Sequence, residues 1–203
     1  MIPQFQHKSS TSLAMWMDYV LLHRGRAFSN KTGLFYAQTD SRLDPTYTPY
    51  ASPYKQWVTD STVSGVQIPT GISGSSADFG GFIPRGESGL ALDFQNGRVM
   101  FTGNNTSVSG LDQTLSGSYA VKDFNLYLTN QTEEDLILEN KFDSNNRFVP
   151  MASGIAPYKE ATPAIFISLQ DATIEPFAFG GLNKSNLYFR CTVFADNLYQ
   201  LDG

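Results

Sequence analysis

Apolar side chains recur at Leu13, Trp16, Met17, Val20 and Leu21, the i, i+3, i+4, i+7, i+8 spacing of a single helical face. This predicts a helix over residues 12–25. Ser10, Thr11 or Ser12 can cap its start, and Gly25 can end it behind His23 and Arg24, whose polarity suits a helix C-terminus. The stripe is expected to pack on the protein's own sheet.

Beyond the helix the period shortens. Leu90, Ala91, Leu92 and Phe94 on one side, and Val99, Met100 and Phe101 on the other, flank Asn96-Gly97. That dipeptide suits a type I′ turn, whose two central residues need positive φ, so a β-hairpin is predicted here. Phe124, Leu126 and Leu128 alternate with Asn125 and Tyr127 at the end of a strand-like stretch over residues 119–129. Thr132 followed by Glu133, Glu134 and Asp135 reads as a capped short helix or turn. Strand character returns over residues 164–169, at Glu175-Pro176-Phe177-Ala178-Phe179 before Gly180-Gly181, and over residues 187–195. In the last of these, Leu187, Phe189, Cys191 and Val193 share one face, and Cys191 is read as a small apolar core residue.

Between helix and hairpin the pattern breaks down. Pro45, Pro49 and Pro53 recur at four-residue spacing among Tyr47, Tyr50 and Tyr54, with Trp57 close behind. Proline fixes φ and removes a donor, so the segment is expected to be an extended arm or ordered loop, neither helix nor central strand. Its rings are expected to pack on the domain or on a neighbouring subunit. Gly71, Gly74, Gly80 and Gly81 mark a second loop. The expected architecture is one α+β, mostly β domain over residues 1–203. An antiparallel sheet or sandwich carries the amphipathic helix, residues 40–85 form the arm and loops, and residues 86–203 hold the main β portion.

Composition narrows the function classes. Of the 203 residues 41% are hydrophobic and 13% aromatic, enough to build a core. Only 16% are charged, below the roughly 25% usual for globular domains. Either a neutral Ser/Thr/Asn-rich surface or surface covered by other subunits accounts for the deficit. The net charge of −5 and the lack of any Lys/Arg run disfavour general nucleic-acid binding. An acidic wall past which DNA merely slides stays compatible with these numbers. No stretch approaches the ~20 apolar residues of a membrane helix or the length of a signal peptide, so synthesis in the cytosol and no membrane partner are expected.

Chemistry is thinly supplied. One cysteine and two histidines, His7 and His23, make neither a zinc site nor a nucleophile–base pair readable. Asp93, Glu87, Glu133, Glu134, Asp135, Glu139, Asp143 and Glu175 are scattered acids; a glycosidase would need two of them to converge across a cleft. No cofactor, no metal and no enzymatic activity are expected.

The C-terminal third carries Pro163-Ala164-Ile165-Phe166-Ile167-Ser168, then Glu175-Pro176-Phe177-Ala178-Phe179-Gly180-Gly181, then a strand closing in Val193-Phe194-Ala195. In this order it resembles the tail-terminator and neck proteins of tailed bacteriophages. The match covers about 40 residues of common types, and a long insertion separates the helix from the strands. The resemblance implies a strand that ends near a Gly-Gly turn and pairs with the next. It also implies a homo-oligomeric ring, hexameric as is typical of that family, assembled into a virion in the host cytoplasm beside other neck or tail proteins. Pro45, Tyr47, Tyr50, Tyr54, Trp57, Phe177 and Phe179 are the expected subunit-contact residues. The alternative is a receptor- or carbohydrate-binding β module of a fibre or baseplate, with Tyr47, Tyr50, Tyr54 and Trp57 as a sugar-stacking platform.

Overall fold

The computed structural model describes residues 2–37, 47–75, 80–85, 90–102, 115–139, 142–144, 160–176, 180, 183–195 and 197–198. The chain, expected to be one domain, gathers into two compact units built from interleaved stretches. The first comprises Met1–Arg26, Phe124–Phe142 and Thr162–Gly203; the second comprises Ala27–Asp123 and Asp143–Ala161. The class is as expected: mostly β, with an N-terminal helix lying against strands.

In the second unit, β1 (Phe28–Ala37), β2 (Tyr47–Ala51), β3 (Gly71–Ser75), β4 (Gly80–Pro84), β5 (Leu90–Asp93), β6 (Arg98–Thr102) and β7 (Leu115–Lys122) form one sheet. Its order is β4-β3-β7-β1-β2-β6-β5, and every neighbouring pair is antiparallel. Successive side chains point to opposite faces, and the registers set Phe35, Tyr50, Ile72, Leu90, Val99, Phe101, Leu115 and Tyr119 on the same one. These residues, with Trp57 and Val121, are the buried core of the unit.

The segment expected to be an extended arm or ordered loop, and no central strand, is part of this sheet. β2 lies between β1 and β6, with Tyr50 opposite Val99 and Pro49 opposite Met100. Ser52 N donates to Gly97 O at 2.9 Å. Counting back by twos makes Tyr50–Val99 and Thr48–Phe101 the hydrogen-bonded pairs. Pro49 falls between them, so the missing N–H faces away from β6. On that side the β1 ladder stops at Ala37–Tyr50. A proline thus occupies an interior strand without costing a ladder bond.

The hairpin stands where expected, with a different turn. Asp93 pairs with Arg98, which leaves a four-residue connection, and Gly97 (φ 63°), but not Asn96, has positive φ. Asp93 holds the loop: Oδ1 accepts from Asn96 N at 3.1 Å and Oδ2 from Asn96 Nδ2 at 2.7 Å. An Asx side chain capping its own loop in this way favours a helical turn over the two-residue type I′ form.

In the first unit, α1 (Ile2–Val20) begins about ten residues earlier than the periodicity suggested and continues into a π-helical turn, Leu21–Gly25. The hydroxyls expected to cap the helix instead lie within it. Ser10 Oγ donates to Gln6 O and Thr11 Oγ1 to His7 O, each at 2.9 Å, so they are satisfied without ending the helix. The left-handed residue that closes the turn is Arg26 (φ 52°), whose N–H reaches Leu21 O. The short helix α2 (Glu133–Glu139) is capped as expected. Thr132 Oγ1 accepts from Asp135 N at 3.2 Å, and Thr132 N donates back to Asp135 Oδ2 at 3.3 Å.

β11 (Ala164–Pro176) pairs antiparallel with β12 (Asn183–Phe194), and its first four residues pair in parallel with β8 (Asn125–Leu128). The parallel register is pinned by Asn125, whose N and Nδ2 both donate to Pro163 O at 2.9 and 3.1 Å. α1 lies against β8 and β11. Ala164 and Phe166 are buried with Leu136 of α2, beside Tyr127 and Phe194. Ile165 and Ile167 on the opposite face are buried as well, so both faces are covered at this end. A minor two-stranded ribbon of β9 (Phe142–Ser144) and β10 (Glu160–Thr162) completes the strands.

Candidate assembly surface

Two of the aromatic residues expected to contact a neighbour are internal. Trp57 is 1% exposed and Tyr50 3%. Trp57 stacks on Tyr119 (ring centroids 4.6 Å apart, planes at 21°) and meets Phe94 edge-on at 6.3 Å. The segment carrying it acts as a stitch. Gln56 N and Trp57 N donate to Gln95 O and Phe94 O, just past β5. Val58 N donates to Ala120 O, and Gln56 O accepts from Lys122 N, on β7. Residues 56–58 therefore join the end of β5 to the end of β7 and lay the indole across the core. Tyr54 is half-buried against the same core, with Lys31 Nζ 5.3 Å from its ring centroid. Tyr47 pairs with Thr102 in the β2–β6 ladder. Pro45, Phe177 and Phe179 lie outside the described residues.

Tyr50 and Trp57, two of the four residues expected to form a sugar platform, are packed in the core and present no face to a ligand. Ser52 is the polar hub beneath them. Its Oγ accepts from Tyr54 N (3.1 Å) and Trp57 Nε1 (3.2 Å) and donates to Tyr54 O. Burial pushes the Tyr119 phenol up to about 12, against a smaller opposing effect of its hydrogen bond with Ser52. Gly97 is pressed against this hub: a Cβ there would collide with the Tyr54 carbonyl and sit 3.0 Å from Ser52 Oγ.

Among the described residues the candidate acids are spread over separate elements. Asp93 is engaged by its own loop, and Glu133, Glu134 and Asp135 are exposed on α2. Glu175 is exposed on β11, Asp143 lies in β9, and Glu87 is outside the described residues. His7 is exposed on α1, and His23 stacks on Tyr19 at 4.2 Å. Among the described residues no group of three or more His, Cys, Asp or Glu could hold a metal ion.

Exposed apolar groups concentrate in the first unit. Trp16, expected to pack inward with Leu13, instead stands 61% exposed beside Met15 and Tyr19, while Leu13, Met17 and Val20 are half-buried. Cys191, expected in the core, is exposed, as is Val193. The reason is position: among the described strands β12 lies at an edge of its sheet, so its apolar face has a described neighbour on one side only.

The most distinctive element is the far half of the β11–β12 hairpin. Pairing with β8 ends at Ile167. Residues 168–176 and 183–190 run on as a two-stranded ribbon, about 25–30 Å long at ~3.3 Å per residue, and no other described strand pairs with them. A bulge between Leu169 and Asp171 shifts the register. After it, one face carries Ala172, Ile174 and Leu187 beyond Leu169 and Phe189. The other carries Asp171, Thr173 and Glu175 opposite Tyr188, Asn186 and Lys184. Charge is sorted by strand: Asp171 and Glu175 are on β11, Lys184 and Arg190 on β12, and all four are exposed. In the sequence Glu175 is one of several scattered acids, and Asp171, Lys184 and Arg190 belong to no motif. The signal that could have found them is acids and bases segregated on either side of Gly180-Gly181.

Comparison with family models, with curated proteins and with solved structures finds no match for this chain.

Proposed function

We propose that this chain is a non-enzymatic structural protein of a tailed-phage virion, forming a homo-oligomeric ring in the neck or tail. The observation that carries the reading is the β11–β12 ribbon, which continues past β8 with both long edges unpaired among the described residues. A two-stranded ribbon is marginal in water by itself, and a long open edge is a template for another strand. Ile174 and Tyr188 on the ribbon, and Met15, Trp16 and Tyr19 on α1, are each about half exposed or more. Apolar exposure of that kind, on a chain with little charge, favours contact with other subunits.

The strands on which the tail-terminator resemblance rests are the two that pair here: β11 follows Pro163, and β12 closes at Phe194 before Ala195. In this reading the partners are further copies and other neck or tail proteins, with DNA passing through a central channel. Sedimentation velocity and light scattering on the purified protein test it. A discrete closed oligomer is expected, and a strictly monomeric particle at high concentration overturns the reading.

A further inference from the structure

The ribbon has two edges of opposite charge. β11 brings Asp171 and Glu175 and no base to one edge beyond the bulge; β12 brings Lys184 and Arg190 and no acid to the other. All four side chains are exposed and on the same face. Asp171 Oδ1 accepts from Ala172 N at 2.7 Å, which anchors that carboxylate at the strand.

We propose that the β11 edge of one copy, over residues 168–176 beyond the stretch held by β8, pairs with the β12 edge of a second copy over residues 183–190, so that the ribbons of successive copies join into one continuous antiparallel sheet. The inference rests on the oligomeric reading above and names the surface it uses. Charge complementarity selects the occupant. A second copy supplies the basic edge that the acidic edge lacks, whereas β12 against β12 would oppose Lys184 and Arg190 with bases alone. The hairpin's own register beyond the bulge sets Glu175 opposite Lys184 and Asp171 opposite Tyr188. Repeated between copies, it places Glu175 opposite the next copy's basic edge at Lys184 and brings Asp171 within a diagonal step of Arg190. Hairpins pointing the same way keep the strands antiparallel at every junction. The two edges differ, so the contact is heterologous and propagates from copy to copy until it closes on itself.

The test uses two charge-swapped full-length variants, Asp171→Lys/Glu175→Lys and Lys184→Glu/Arg190→Glu, with far-UV circular dichroism to confirm that each keeps the wild-type fold. Each alone is expected to sediment as a single chain of 22.4 kDa, because both its edges then carry one sign. An equimolar mixture is expected to reassociate to multimers, which also shows that both variants are folded. A wild-type oligomer that neither swap dissociates overturns the pairing and leaves the assembly reading standing. The pairing is overturned in the same way if both swaps are monomeric and the mixture stays so. A wild-type chain that is itself monomeric overturns both.

Discussion

Gly97 shows how one residue can be held by two constraints at once. Its φ of 63° is a conformation that a side chain disfavours, and the space where a Cβ would sit is taken by the Tyr54 carbonyl. Gly97→Ala should therefore cost about 2 kcal/mol or more, beyond the 1–2 kcal/mol of the left-handed backbone alone. Urea denaturation measures it, and a loss under about 0.5 kcal/mol would mean that the loop relaxes freely. Tyr119 supplies a second readout of the same hub. Its phenol ionises near 10 in the unfolded chain and about 12 in the fold. The folded state then holds the proton more tightly, so this group's contribution is intact below pH 10 and lost as pH climbs from about 10 to about 12. A phenolate absorbance titration should find Tyr119 the last tyrosine to ionise, and its replacement by Phe should remove that step. An unchanged titration in Tyr119→Phe would mean that this phenol is not the late-ionising one.

At the scale of elements, what was legible in the sequence depended on whether the deciding contact was local. The helical stripe, the Asn96-Gly97 hairpin and the Thr132 cap are set by neighbours within a few residues, and each appears in the fold. β2 was misread because the rule against proline in central strands assumes a partner on both sides at that residue. Pro49 turns its missing donor to the side where β1 has already ended. Cys191 and Val193 alternate like core residues, and nothing in the alternation says that their strand lies at an edge. Trp16 belongs to the apolar stripe by spacing, yet the contacts of α1 leave it outside. The candidate surface was hardest to see, since the Leu169/Asp171 bulge resets which side chains share a face. This surface makes its own prediction. In the Asp171→Lys/Glu175→Lys variant, amides of residues 168–176 and 183–190 should exchange faster than those of β1 and β7, which pair inside a seven-stranded sheet. In the wild-type oligomer the ribbon amides should be protected. Hydrogen exchange by mass spectrometry reads both states, and equal protection in the two would remove the ribbon from the contact.

Across the whole chain, the stretches of the two units alternate along the sequence, with changes of unit after Arg26, Asp123, Phe142 and Ala161. Interleaving of this kind leaves no compositional boundary or linker, which is why the sequence reads as one continuous domain. The ribbon's unlike edges reach further still, into the arithmetic of closure. A mixture of the two charge-swapped variants can join only by alternation, because like variants repel at both edges. Alternation closes a circle only when the number of members is even. A wild-type ring with an even count should be reproduced at the same size by the mixture. An odd one should be forced to gain or lose a member or to stay open, so native mass spectrometry of the mixture reports the parity of the natural assembly.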